Sequence, residues 1–156
     1  MFRLTNIKLI VYDFDGIMTD NSVFVNELGQ ESVKVSRADG LAIGQIKKMN
    51  IKQIIISTES NPVVKKRAEK LNISCHQNIV DKAEFLLEYC KEKKYLLSET
   101  IFLGNDINDK SAMLLVGNKF CPSDAHDEII KISDHIFNKK GGEGVVRELL
   151  DLLKFN

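Results

Sequence analysis

Two carboxylates, Asp13 and Asp15, follow the short apolar run Leu9-Ile-Val-Tyr12, and Gly16 stands directly behind them. The run contains β-branched residues and is bounded by polar ones, which predicts a buried strand. Side chains two apart on a strand share a face, so both acids are expected on one side of its carboxyl end. In open α/β sheets that end is where ligands bind. Two acids at one point repel, and they need a cation or a shared proton to coexist. Three more stretches carry related chemistry, each at the end of a predicted strand or in a loop. Ser57 follows the apolar residues 54–56, Lys82 stands near the start of a helical pattern over 80–93, and Gly104-Asn-Asp-Ile-Asn-Asp109 follows residues 101–103. A nucleophile, a second acid, a hydroxyl donor, a fixed cation and a metal-leaning acidic loop are the parts that phosphoryl transfer needs.

The elements that must position these groups alternate between strand and helix almost from end to end. Residues 22–35 read as a β-hairpin, with strands at 23–25 and 32–35 around Asn26-Glu-Leu-Gly29. Residues 39–49 are amphipathic, with Leu41, Ile43, Ile46 and Met49 on the apolar face and Asp39 as the cap. Strands are expected at 52–56, 73–76 and 100–103, and helices at 61–71, 80–93 and 108–116, with Pro62 suited to a first turn. Shorter pieces at 119–121, 128–131 and 135–137 continue the alternation. A helix over 144–153 closes the chain, led in by Gly141-Gly-Glu-Gly144. Strands separated by helices imply an α/β fold, a doubly wound parallel sheet covered on both faces. The expectation is one domain over 1–156, with a hairpin flap at about 22–35 and a tail at about 139–156.

The 156 residues carry 22 Lys and Arg against 22 Asp and Glu. No global field therefore favours nucleic acid or an anionic membrane, and an anionic ligand must be drawn by local groups. No apolar run approaches the roughly 20 residues of a membrane span. The first six residues lack the apolar core of a signal peptide, so a cytoplasmic protein is expected. Cys75, Cys90 and Cys121 are widely separated and read as free packing thiols. The three histidines are scattered, which argues against a zinc site.

Through Asp13-Phe-Asp-Gly-Ile-Met-Thr19, Ser57, Lys82 and the loop at 104–109, in that order, the chain resembles the capless phosphatases of the haloacid dehalogenase superfamily. With the tail Lys140-Gly-Gly-Glu-Gly-Val-Val-Arg-Glu148 it is similar to the 3-deoxy-octulosonate 8-phosphate and nonulosonate 9-phosphate phosphatases among them. The resemblance implies a Rossmann-like fold without a cap domain. Asp13 would attack phosphorus to form an aspartyl-phosphate, and Asp15 would protonate the leaving oxygen and then deprotonate water. Mg²⁺ would bind Asp13, the main-chain carbonyl of Asp15 and the acidic loop. Ser57 would donate to the phosphoryl group, and Lys82 would hold its charge and orient Asp13. Where these families usually read Gly-Asp-Asp-x-x-Asp, this chain has Asn105 at the usual ligand position. Either Asn105 or Asp106 could take the ligand role, with Asp109 behind it, and weaker metal binding is expected.

Thr58, Glu59, Arg67, Lys70 and Arg147 are the implied substrate contacts. Glu59 would accept from sugar hydroxyls, and Arg67 would pair with a 2-keto acid carboxylate. Glu59 favours a nine-carbon, sialic-acid-like phosphate over the octulosonate. The resemblance further implies a homotetramer in which neighbours cover the site, the hairpin forms much of the assembly, and the tail carrying Arg147 reaches a neighbour's crevice. Asn105 keeps a second reading open, a catalytically weak oligomerisation module of a sialic-acid-activating system.

Overall fold

The computed structural model describes residue 4 and residues 6–155. Strand β1 (Leu9–Tyr12) is wholly buried, because its side chains pass alternately to two apolar layers. Leu9 and Val11 enter one core cluster, and Ile10 and Tyr12 enter the other. Fully burying an aliphatic or aromatic side chain contributes about 1.5–3 kcal/mol, so this central strand anchors both layers. A short antiparallel hairpin follows, β2 (Phe24–Val25) and β3 (Glu31–Ser32), with Phe24 opposite Ser32 and Val25 opposite Glu31. The remaining strands are β4 (Lys52–Ile56), β5 (Ser74–His76), β6 (Thr100–Leu103), β7 (Asn118–Cys121) and β8 (His135–Ile136). With β1 they form one parallel sheet in the order β5-β4-β1-β6-β7-β8.

Helices cover both faces. Buried residues of α1 (Arg37–Lys48), α2 (Pro62–Leu71) and α6 (Val145–Phe155) share a cluster with Ile10, Ile55 and Leu103. Those of α3 (Lys82–Lys93), α4 (Ile107–Met113) and α5 (Asp127–Ile132) pack with Val11, Ile54 and Phe102. The chain is thus the α/β, doubly wound parallel sheet expected from the pattern. Among the described residues no cap domain stands over it, only the hairpin. The three cysteines are free, with Cys90 and Cys121 buried and Cys75 half-buried. No helix among the described residues is long and apolar enough to cross a membrane.

Several boundaries differ from expectation. The second hairpin strand is Glu31–Ser32 rather than 32–35, because Asn26 sets the register: its Oδ1 accepts from the amides of both Leu28 and Gln30. Helix α1 begins at Arg37, and Asp39 is not its cap. Asp39 lies within the first turn, 2 % exposed, and accepts from the Arg147 amide of α6 at 3.0 Å. The buried face of α1 is Asp39, Ala42, Ile43 and Ile46, which obeys helical spacing. Leu41 and Met49 fall off that stripe and are exposed. The helix expected at 108–116 stops at Met113, and the closing helix runs from Val145 to Phe155.

Candidate active site

Because β4, β1 and β6 are neighbours, their carboxyl ends bring Ser57, Asp13 and Asn105 side by side. This is also where the strand order reverses, the usual ligand crevice of such sheets. The Asp13 amide donates to the Leu103 carbonyl at 2.9 Å and extends the ladder by one residue. The chain then turns: the amides of Ile17 and Met18 both donate to the Phe14 carbonyl. Thr19 Oγ1 ties off the turn by accepting from the amides of Gly16 and Asn21. Asp15 therefore reaches the crevice through a turn, and the strand alternation that predicted its direction ends at Tyr12.

Lys82 is the first residue of α3, whose cap, Asp81, accepts from the Glu84 amide. A cation there opposes the helix dipole, and two carboxylates hold it. Lys82 Nζ lies 2.8 Å from Asp13 Oδ1 and 2.6 Å from Asp109 Oδ1, with all three side chains buried. The other oxygen of Asp109 accepts from the Asn105 amide at 2.9 Å and the Asp106 amide at 3.3 Å. Asp109 thus fixes both the cation and the loop after β6. The sequence reading placed it only behind a metal ligand. The signal for its loop role was the spacing Asp106-x-x-Asp109, a capping box. Asp106 is exposed and caps α4, accepting from the Ile107 amide at 2.7 Å.

Asn105 is the loop residue that faces the carboxylates. One terminal atom of its amide lies 2.9 Å from the Asp15 carbonyl oxygen and 3.0 Å from Asp13 Oδ2. With the amide oxygen in that place, three oxygens converge. The two separations from Asn105 match the edge of an octahedron with metal–oxygen bonds of about 2.1 Å, which is about 3.0 Å. With the nitrogen there instead, Asn105 donates to both neighbours. Gly16, at φ +87°, makes this approach possible, since a Cβ on it would fall 2.1 Å from the Asn105 amide. Among the described residues no group of three His, Cys, Asp or Glu side chains could hold a metal. The oxygens here come from one carboxylate, one amide and one main-chain carbonyl, a hard set suited to Mg²⁺.

The electrostatics raise both acids. Burial, then the charge of Asp109, pushes Asp13 up to about 7, against the pull of Lys82. Burial, then Glu59, also raises Asp15; Glu31 adds to this, and Lys82 and a Thr19 hydrogen bond oppose it. A half-buried carboxyl that keeps its proton can serve as a general acid. Lys82 loses solvation by burial, but Asp13 and Asp109 more than restore its charge and hold its pKa above the usual value.

Ser57, buried beneath the crevice, accepts from the Glu59 amide through Oγ, which leaves its hydroxyl proton free to donate. Thr58 and Glu59 line the crevice mouth. Beyond Asp15 a cavity of about 250 Å³ opens between the hairpin and α2, lined by Asn21, Glu31, Glu59 and Asn61 with Val23 and Val33 among its apolar walls. Asn61 Nδ2 donates to Glu31 at 2.7 Å and ties the hairpin to the start of α2. Neither Glu31 nor Asn61 was singled out from sequence.

The structure does not bring Arg67 and Lys70 to this crevice. Arg67 donates to the Ser36 carbonyl at 3.0 Å, and with Lys70 it lines a separate depression beside α1. Arg147 is exposed in the first turn of α6. The glycines before it are packed against the catalytic loop of the same chain. The Gly142 amide donates to the Ile17 carbonyl at 3.0 Å, and a Cβ on Gly141 would meet the Gly16 carbonyl oxygen at 2.1 Å.

Comparison with known proteins finds relatives over most of the chain. A family model described as haloacid dehalogenase-like hydrolase matches residues 43–149. The 3-deoxy-D-manno-octulosonate 8-phosphate phosphatase of Haemophilus influenzae is 26 % identical over 152 residues, 97 % of this chain and 84 % of that protein. A haloacid dehalogenase family hydrolase from Streptomyces avermitilis is 36 % identical with a TM-score of 0.92, covering 96 % of this chain and 86 % of that one. The octulosonate 8-phosphate phosphatase of Moraxella catarrhalis, solved with magnesium, phosphate and 3-deoxy-D-manno-octulosonate, is 31 % identical with a TM-score of 0.92. That match covers 96 % of this chain and 87 % of the other.

Proposed function

The chain belongs to the haloacid dehalogenase-like hydrolases, and we propose that it is a Mg²⁺-dependent phosphomonoesterase acting on a phosphorylated 2-keto-3-deoxy sugar acid. The observation that carries this reading is the buried Asp13–Lys82–Asp109 cluster beside the oxygens of Asp13, Asp15 and Asn105. Asp13 attacks phosphorus, and the leaving sugar oxygen takes its proton from Asp15. Asp15 then accepts a proton from the water that cleaves the aspartyl-phosphate. Ser57 donates to a phosphoryl oxygen, and Lys82 keeps Asp13 oriented and offsets the gathering negative charge. Asp13, the Asp15 carbonyl and Asn105 would hold Mg²⁺, which would supply charge neutralisation between the anionic nucleophile and the anionic substrate. The capping role of Asp106 favours Asn105 as the loop ligand.

The relatives that act on octulosonate 8-phosphate support an eight-carbon substrate. Glu59 at the crevice mouth supports the nine-carbon nonulosonate 9-phosphate. Among the described residues the cavity beyond Asp15 has acidic, amide and valine walls and no basic one, so the substrate carboxylate needs a cation from elsewhere. We assign that cation to Arg67, Lys70 or Arg147 of a neighbouring subunit. This fits a homotetramer assembled on the hairpin, where Phe24, Val25 and Leu28 are 70 %, 60 % and 78 % exposed. Phosphate release from both sugar-acid phosphates, with Mg²⁺ and with EDTA, tests the activity, and sedimentation tests the assembly. Release from neither substrate, or release that survives Asp13→Asn, defeats the catalytic reading and returns the chain to a structural module.

A further inference from the structure

The loop after β6 carries an amide where a second carboxylate would complete a cation site, and its surroundings leave that amide little freedom. The Asn105 amide N–H donates to Asp109 Oδ2 at 2.9 Å, and its carbonyl accepts from the His126 amide at 2.8 Å. Gly16 packs against the side chain closely enough to exclude a Cβ. With the backbone pinned at both ends and the side chain 8 % exposed, the terminal torsion is the one soft degree of freedom, and a terminal amide torsion has two broad wells. The two wells suit different partners: one satisfies the protein's own hydrogen bonds, and the other suits a cation. Turned one way, the nitrogen donates to Asp13 Oδ2 and the Asp15 carbonyl at 3.0 and 2.9 Å, normal hydrogen-bond lengths. Turned the other way, the oxygen stands at octahedral-edge distance from the same two atoms.

We propose that Asn105 makes the cation site self-closing: its amide locks Asp13 to the Asp15 carbonyl when the site is empty and turns by half a rotation to present oxygen to Mg²⁺. This rests on the cation reading of the site given above. An aspartate in the same place could only accept. Without a cation it would set a further negative charge against Asp13 Oδ2 and the Asp15 carbonyl, at the cost of repulsion. The chain thus exchanges cation affinity for a catalytic loop that is assembled before the cation arrives. Its response to Mg²⁺ is then a competition between two hydrogen bonds and two coordinating oxygens rather than the filling of a repulsive cage.

The test uses the full chain and reads binding, stability and one amide signal. Mg²⁺ is titrated calorimetrically into the native protein, Asn105→Asp and Asn105→Ala, and each is unfolded by heat in EDTA. The Asn105 side-chain amide resonance is assigned by its loss in the variants. The aspartate variant is expected to bind Mg²⁺ about 10–100-fold more tightly, on the scale by which ligand charge and its surroundings tune such sites, and to unfold at a lower temperature than native in EDTA. The alanine variant should bind more weakly and also unfold lower in EDTA, because it loses the lock without gaining charge. In the native protein the Asn105 amide signal should move as Mg²⁺ is added. An amide signal unmoved at saturating Mg²⁺ overturns the proposal, as does an alanine variant as stable as native in EDTA. None of these measurements reads turnover. A chain that behaves this way yet releases no phosphate from either sugar acid would defeat the proposed function and leave the lock standing.

Discussion

At the floor of the crevice Lys82, Asp13 and Asp109 are sealed within the chain's own packing, and two short ion pairs fix their geometry. At its mouth the hairpin offers two paired residues on each strand, large exposed apolar side chains, and side-chain ties from Glu31 to Asn61 and from Lys34 to Asp20. An isolated hairpin of this length is marginal in water. The floor is thus set by the chain's own packing, whereas few contacts within the chain fix the mouth. The proposed function assigns chemistry to the rigid region and selectivity to the adaptable one, and each variant below tests that division.

The largest effect is expected at Asp13. Replacing it by Asn removes the attacking carboxylate while keeping size and burial, so kcat should fall about 10⁴-fold or more. The thermal transition should hold steady or rise, since a buried acid raised to about 7 is replaced by a neutral amide. Rapid-quench kinetics beside calorimetry would check this. Retained turnover would mean that the floor is not the seat of the chemistry.

Lys82→Met should cost both activity and stability. It leaves Asp13 and Asp109 buried without their cation, and removing one partner of such a cluster costs about 3–5 kcal/mol. Lys82 pulls the pKa of Asp13 down, so without it Asp13 favours its protonated form more strongly and the loss should be greater at pH 8 than at pH 5. Denaturant titrations at the two pH values would check it. A loss below about 1 kcal/mol, the level of a surface ion pair, would place the floor on the same energetic footing as the mouth.

The rigid half was also the legible half. Strands β1, β4 and β6 are nearly unbroken apolar runs, and the residues that end them, Asp13, Ser57 and Asn105, carry their chemistry in their types. What escaped the sequence depends on partners far along the chain. Asp39 looks like a helix cap by local rules, but its partner is the Arg147 amide, 108 residues away. Asp109 reads as a loop acid until Lys82 arrives from another helix. Leu41 obeys hydrophobicity yet faces solvent, because Ala42 and Asp39 take the inward positions. The glycines at 141 and 142 read as a free lead-in, yet the backbone of the catalytic loop lies against them.

Asp39 gives the next effect in size and extends the rigid region beyond the crevice. It braces the first turn of α6, whose lead-in packs on the catalytic loop. Burial raises it to about 6, against the Arg147 and Val146 amides and the charge of Arg67. An acid whose folded pKa exceeds its unfolded value of about 3.9 contributes stability that is full below pH 4 and lost as pH climbs through 6. Two units correspond to about 3 kcal/mol. Asp39→Asn should therefore gain stability relative to native as pH rises from 4 to 7. Denaturant midpoints across that range measure the difference. A flat difference would mean that Asp39 is fully compensated where it stands.

The smallest effect is expected at the mouth. Glu31→Ala removes the tie to Asn61 and one carboxylate wall of the cavity beyond Asp15. Glu31 is exposed, so unfolding should shift by less than about 0.5 kcal/mol. The lost contact should appear in substrate binding, where one hydrogen bond of about 1 kcal/mol corresponds to roughly a five-fold rise in KM. Because Asp13, Asp15 and Lys82 are untouched, kcat should change less than about two-fold. Glu31 also helps to keep Asp15 protonated, so the small change in kcat should be confined to the alkaline side of the pH profile. A variant that instead loses kcat as steeply as Lys82→Met, at constant KM, would show that the hairpin takes part in the chemical step, and the division between rigid floor and adaptable mouth would fail at the residue that joins them.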